Sequence, residues 1–153
     1  MTDPVNEILA EHARYLDGDQ NAKVADLSGH DLSGRDLSGV RLSRARMRKT
    51  NLDHCNATGI DLSLTDLFKA SLVGTDLSYA DLSNADLRGA NLIDAVMTGA
   101  KLNGARLRRG LSFKADAVEP IAIPQQLAGA ALAHADLSGA DAMGANLTGA
   151  DLS

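Results

Sequence analysis

The stretch Ala80-Asp81-Leu82-Ser83-Asn84-Ala85-Asp86-Leu87-Arg88-Gly89-Ala90-Asn91-Leu92 restarts every five residues with a small side chain, an Asp or Asn, and a Leu. Followed outward in steps of five, the same clock runs from Ala25 onward, with central positions at 27, 32, 37 and so on to 152. Leu holds 19 of these 26 positions and Met47 and Met97 two more, which makes the column apolar almost throughout; Ala57, Ser112, Ala117, Ala122 and Ala142 are its exceptions. Ala stands two residues before the centre in 15 units, and the position between them is Asp twelve times and Asn four times. Of the 14 glycines, 12 fall two residues after the centre, so four columns hold one phase and chance is excluded.

A period of five fits neither a helix, whose buried face needs spacings of three and four, nor a long strand, which needs two. A short extended segment followed by a corner fits. Ala25 and Leu27 face the same way and Asp26 and Ser28 the other. A turn at Gly29 then resets the phase for the next unit, because glycine tolerates the backbone angles a corner demands. An Asp or Asn before the centre can bond nearby amides and hold that corner.

Units such as Ala85-Asp86-Leu87-Arg88-Gly89 resemble the pentapeptide-repeat family, whose A(D/N)LxX motif is degenerate singly and specific in tandem; it covers about residues 25–109 and 127–153. The resemblance implies an all-β solenoid, a right-handed quadrilateral β-helix with four pentapeptides per coil, coils stacked ~4.8 Å apart, and the central Leu and preceding small residue pointing inward. About six such coils make a rod roughly 30 Å long.

Residues 1–24 precede the repeats. Asp3 as a cap, Pro4 in the first turn and Gly18 at the end predict a short α-helix over 3–17, with Val5, Ile8, Leu9, His12 and Leu16 on one face. It is expected to plug the first coil. At the other end, a sequence stopping at Asp151-Leu152-Ser153 predicts an uncovered apolar end at Ala142, Leu147 and Leu152, and hence a homodimer through the C-terminal coils.

Residues 110–126 break the motif, and Leu107 and Leu127 remain 20 apart, one implied coil. Either the segment is a degenerate coil bent at Pro120 and Pro124, or it is a protruding loop presenting Phe113, Ile121 and Ile123. His30 and Arg35 are misfits in the inward small-residue column, so the first coil is open there or their side chains escape past the plug. Cys55 in that column reads as a small core residue.

Composition excludes several functions. The 153 residues suit one domain, and 3% aromatics with no Trp call for an aliphatic core. No apolar run approaches a membrane span and no basic-then-apolar leader opens the chain, so a cytoplasmic setting is expected. A single cysteine excludes an internal disulfide, and four scattered histidines, with His54 and His134 facing outward, make no metal set. Phosphate-loop and nucleophile-elbow motifs are absent, and the aspartates recur because corners need them. The expectation is a non-enzyme without cofactor or metal.

If four units close a coil, every fourth unit shares a wall. The wall starting with 25–29 then carries Arg46, Arg48, Lys49, Lys69, Arg88, Arg106, Arg108 and Arg109 against Asp26, Asp66 and Asp86, a balance of +5 within a chain of net charge -5. The next two walls are expected at −3 and −4 and the fourth at zero. Three functions follow as expectations. A rigid protein-interaction scaffold needs no more than flat walls. Some members of the family mimic duplex DNA and bind gyrase, a role that calls for acid around most of the girth. The basic wall instead suits an anionic surface, nucleic acid or lipid headgroups, although Phe68 is its one aromatic residue.

Overall fold

A computed structural model describes residues 3–107, 110–112, 121–123, 125–126, 132, 134–141 and 145–146. Each pentapeptide forms one side of a coil. The Leu27 amide donates to the Arg46 carbonyl (2.8 Å) and the Arg46 amide donates to the Ala25 carbonyl (2.9 Å), a parallel bridge between Asp26 and Arg46. The same twenty-residue step runs unbroken from that bridge to Asp86 and Arg106, so four units make one turn of a β-helix.

The corners explain the fourth column. The His30 amide closes a turn on the Leu27 carbonyl (3.0 Å), while the Gly29 amide donates upward to Arg48 (2.9 Å). The residue two after the centre has positive φ in every described unit, from Gly29 at 71° to Gly139 at 67°. A negative and then a positive φ is the type II pattern, which favours glycine. Leu64 and Tyr79 take the same angle at 59°, a conformation that costs an ordinary side chain roughly 1–2 kcal/mol. The carboxylate or amide before the centre secures the turn: Asp26 Oδ1 accepts from the Ser28 amide at 3.1 Å, and Asp31, Asp36, Asp61, Asp76, Asp81 and Asp136 repeat the bond.

Inside, Leu27, Met47, Leu67, Leu87 and Leu107 stack as one ladder with no more than 1% of their surface exposed. The small column accepts hydroxyls because each finds a carbonyl below. Thr50 donates to Leu27 (2.8 Å), Thr65 to Leu42 (3.0 Å) and Thr75 to Leu52 (2.7 Å). Cys55 does the same with its thiol, donating to Leu32, and burial pushes that thiol above its ordinary pKa, so it serves as a core residue. Where Ala57 replaces the central Leu, the following small position is filled by Ile60, and both are buried.

Helix α1 (Pro4–Leu16) closes the first coil. Asp3 caps it by accepting from the Val5 amide, Val5 enters the core, His12 is buried, and Ile8 and Leu9 pack against the core; Leu16 stays half-exposed. The misfits of the first coil are thereby explained. Arg35 turns to the helix and pairs with Asp3 at 2.6 Å, and Arg41 pairs with Asp17 at 2.9 Å, so the coil grips both ends of α1. His30 stays half-buried, its ring 3.4 Å from the Ser28 carbonyl.

The twenty-residue step does not survive the interruption. Strand β1 (Gly110–Ser112) pairs antiparallel with β2 (Ile121–Ile123), whereas Asp136 bridges to Lys101 and Asp141 to Arg106, a step of 35. Strands β3 (Gln125–Gln126) and β4 (Ala145–Asn146) then resume parallel pairing at a step of 20. The expectation of one implied coil with unchanged wall assignments is therefore corrected. The bridged partners are fifteen residues, three pentapeptides, further apart in the chain than one coil requires. The physical reason is Pro124: it falls on a corner position, where φ near +60° is required, and proline is held near −65°. Pro120 falls where the turn-closing amide should be and has none to give.

Candidate interaction wall

Three columns build the first wall. Along the axis, the residues before the centre read Asp26, Arg46, Asp66, Asp86, Arg106 and Asp141, each bridged to the next. Beside them stand Ser28, Arg48, Phe68 and Arg88, and at the corner Gly29, Lys49, Lys69 and Gly89. The wall thus unites Arg46, Arg48, Lys49, Lys69, Arg88 and Arg106 as expected from the sequence. Arg108 and Arg109 lie outside the described residues, as do Phe113, Ala142, Leu147 and Leu152; Ile121 and Ile123 are described only as backbone of β2.

The basic groups are interlaced with acids. Arg48 bonds Asp66 at 3.0 Å and Arg46 approaches Asp26 at 3.9 Å. Asp86 takes Arg88 from its own unit (2.5 Å) and Arg106 from the coil above (3.4 Å). Burial opposes the ionisation of Asp86, but the bonds and charges of Arg88 and the charge of Arg106 outweigh it and hold the carboxyl below its usual range. Phe68 lies among three cations, with the Arg48 guanidinium 4.5 Å from its ring centre, Arg88 at 5.7 Å and Lys69 Nζ at 5.4 Å. Such contacts add roughly 0.5–1 kcal/mol each at a surface and, more to the point, fix the long side chains in place.

The altered register redistributes charge. Asp141 joins the first wall, leaving six cations against four carboxylates among its described residues. Asp136, expected on the third wall, stands on the fourth above Lys101 and accepts from Asn103 at 2.6 Å. The third wall therefore keeps Asp36 and Asp76 among described carboxylates, with Arg35 turned to α1; Asp116 and Glu119, also expected there, lie outside the described residues. The second wall, with Asp31, Asp53 and Asp94 and no Lys or Arg among its described residues, is the anionic one.

Some features were not read from the sequence. Ser71 stands where Asp or Asn is usual, and the Val73 amide it would hold is taken by Asp53 of the coil below (2.9 Å), which also accepts from the Ser71 hydroxyl (2.5 Å). Three glycines make room rather than only a turn: a Cβ on Gly74, Gly99 or Gly104 would meet His54, Tyr79 or Asn84 from the coil below at 2.6–2.8 Å. Among the described residues no group of three or more His, Cys, Asp or Glu could hold a metal, and no helix is long and apolar enough to cross a membrane.

Comparison with known proteins agrees with this architecture. The family model for pentapeptide repeats matches eight copies, over residues 25–63, 45–78, 70–109 and 126–153. A pentapeptide repeat protein, Rfr23, from the cyanobacterium Cyanothece 51142 superimposes with a TM-score of 0.56 at 23% identity, over 95% of each chain. The pentapeptide repeat protein alr5209 from Nostoc Pcc 7120 gives 0.52 at 34% identity, over 63% of this chain and 78% of its own. QnrB1, a plasmid-mediated fluoroquinolone resistance protein, gives 0.44 at 22% identity over 86% of this chain and 64% of its own, too loose a superposition for comparing surfaces. No curated protein sequence matches significantly. With matched repeats covering about three quarters of its length and a right-handed β-helix as the architecture they imply, the chain belongs to the pentapeptide-repeat family.

Proposed function

We propose that this protein is a non-enzymatic interaction scaffold whose partner lies along the first wall. The supporting observation is the interlocked column of Arg48, Phe68 and Arg88 flanked by Arg46, Lys49 and Arg106. Long cationic side chains usually lose much freedom on binding, and here neighbours one coil away already restrain them. The partner chemistry this fits is an extended anionic segment. Retention on heparin should fall steeply with salt and be lost in Arg46→Glu/Arg48→Glu/Arg106→Glu; equal retention of that variant refutes the reading. Anionic against neutral lipid vesicles, and duplex DNA against an acidic peptide, distinguish the sources of the charge.

A gyrase-directed role is the second reading, favoured by the second wall, where Asp31 and Asp94 are exposed and Asp53 half-buried, without a described Lys or Arg beside them on that wall. It predicts altered supercoiling, or protection against ciprofloxacin, that Asp31→Lys/Asp94→Lys abolishes. Self-association belongs to the same proposal. Leu137, a central residue above Leu102, is 37% exposed where the centres below it are sealed. A dimer joined there should become monomeric by light scattering in Leu137→Asp.

A further inference from the structure

The imidazole of His12 is wholly buried between α1 and the first coil, an unusual place for a group that titrates near neutrality. Its Nδ1 accepts a hydrogen bond from the Ala25 amide at 3.1 Å, so that nitrogen carries no proton. The proton of the neutral ring therefore sits on Nε2, which is buried without a partner. Ala25 opens the first pentapeptide, so this bond ties the cap to the start of the solenoid.

We infer that His12 is an acid-sensitive latch that holds helix α1 on the first coil and releases it when the ring takes up a proton. A second proton must go to Nδ1. That removes the acceptor of the Ala25 amide, sets two N–H groups against each other and places a cation in a site closed to solvent. The charged surroundings are mixed. From the coils, Arg41 opposes the cation and Asp61 and the Ser43 backbone favour it, though Nε2 makes no hydrogen bond; from α1, the Tyr15 ring stacks on the imidazole at 5.8 Å. Burial is the largest influence and holds the docked pKa below its ordinary 6.5.

The direction follows from linkage. The undocked ring binds protons more readily than the docked one, so the latch is complete above about pH 6.5 and weakens as pH falls through the depressed docked value. The ion pairs Asp3–Arg35 and Asp17–Arg41 remain as secondary ties, and Asp3, held low by its bond from Arg35, stays ionised throughout that window. Opening α1 uncovers the lower face of the first coil, including the Leu27, Leu32, Leu37 and Leu42 centres.

Amide hydrogen exchange of the full chain at pH 7.5 and pH 5, corrected for intrinsic rates, tests the latch. Protection of Ala25 and of the α1 amides should fall by up to about tenfold for each pH unit by which the docked pKa is depressed, while the coil amides of residues 60–100 stay unchanged. His12→Asn keeps an acceptor near the Nδ1 position and cannot titrate; it should hold the same protection at both pH values. The ring carbons of His12 should report the Nε2–H tautomer at pH 7.5. Equal wild-type protection at both pH values, an equal acid loss in His12→Asn, or the Nδ1–H tautomer overturns the proposal.

Discussion

Residues 85–107 and 110–124 are neighbours in the chain and opposites in structure. The first stretch places Ala, Leu and a left-handed corner in register, and each of its units bonds the coil below; the second pairs with itself, Gly110–Ser112 against Ile121–Ile123. Hydrophobicity does not separate them, since Leu111, Val118, Ile121 and Ile123 are as apolar as the repeat residues. Corner geometry does. A solenoid unit is admitted to the ladder by the backbone angle it can adopt at its fifth residue, and Pro124 cannot adopt it.

The sharpest way to break this contrast is to move the defect. Gly59 has φ 65° and its amide donates to Ser78 at 2.8 Å, so Gly59→Pro loses both and should cost more than about 3 kcal/mol or prevent folding, seen as a collapse of the thermal transition followed by circular dichroism. Leu82→Ala leaves every corner intact and empties a fully buried site; about 2–5 kcal/mol is expected in urea melts. Asp53→Ala orphans the Val73 amide and the Ser71 hydroxyl, at about 1–3 kcal/mol, and Ser71→Asn should restore part of it by supplying the bond from within the unit. Deletion of residues 110–124 should cost least. It joins Arg109 to Gln125 and restores a uniform step of 20, so the melting temperature should hold within a few degrees; loss of folding would show that the excursion is part of the core.

The repeated coil was legible because its signal is redundant: Leu82 alone says little, but Leu62, Leu82 and Leu102 at one spacing leave a single geometry. Helix α1 was legible from Asp3, Pro4 and its apolar face. The step of 35 was not, because Leu127 kept the arithmetic phase while Pro124 broke the angular rule, and that rule became visible only with the positive φ at Leu64 and Tyr79. The basic wall was legible as a list of cations, since a shared wall needs only the period. Its interlacing with Asp66 and Asp86 was countable too, yet the clamp on Phe68 depends on rotamers that spacing does not specify. Arg35 and His30 were recognised as misfits, but their destinations depend on how α1 lies across the first coil.

Strands β1 and β2 pair with each other while Asp136 and Asp141 bridge to Lys101 and Arg106, so the ladder is carried across the interruption by residues 35 apart in the chain. Residue number consequently stops being an address after Leu107. Two relatives with loops of different size could present the same face to the same partner while no simple count of fives would align them, and surface comparisons across such chains have to be indexed by floor and façade.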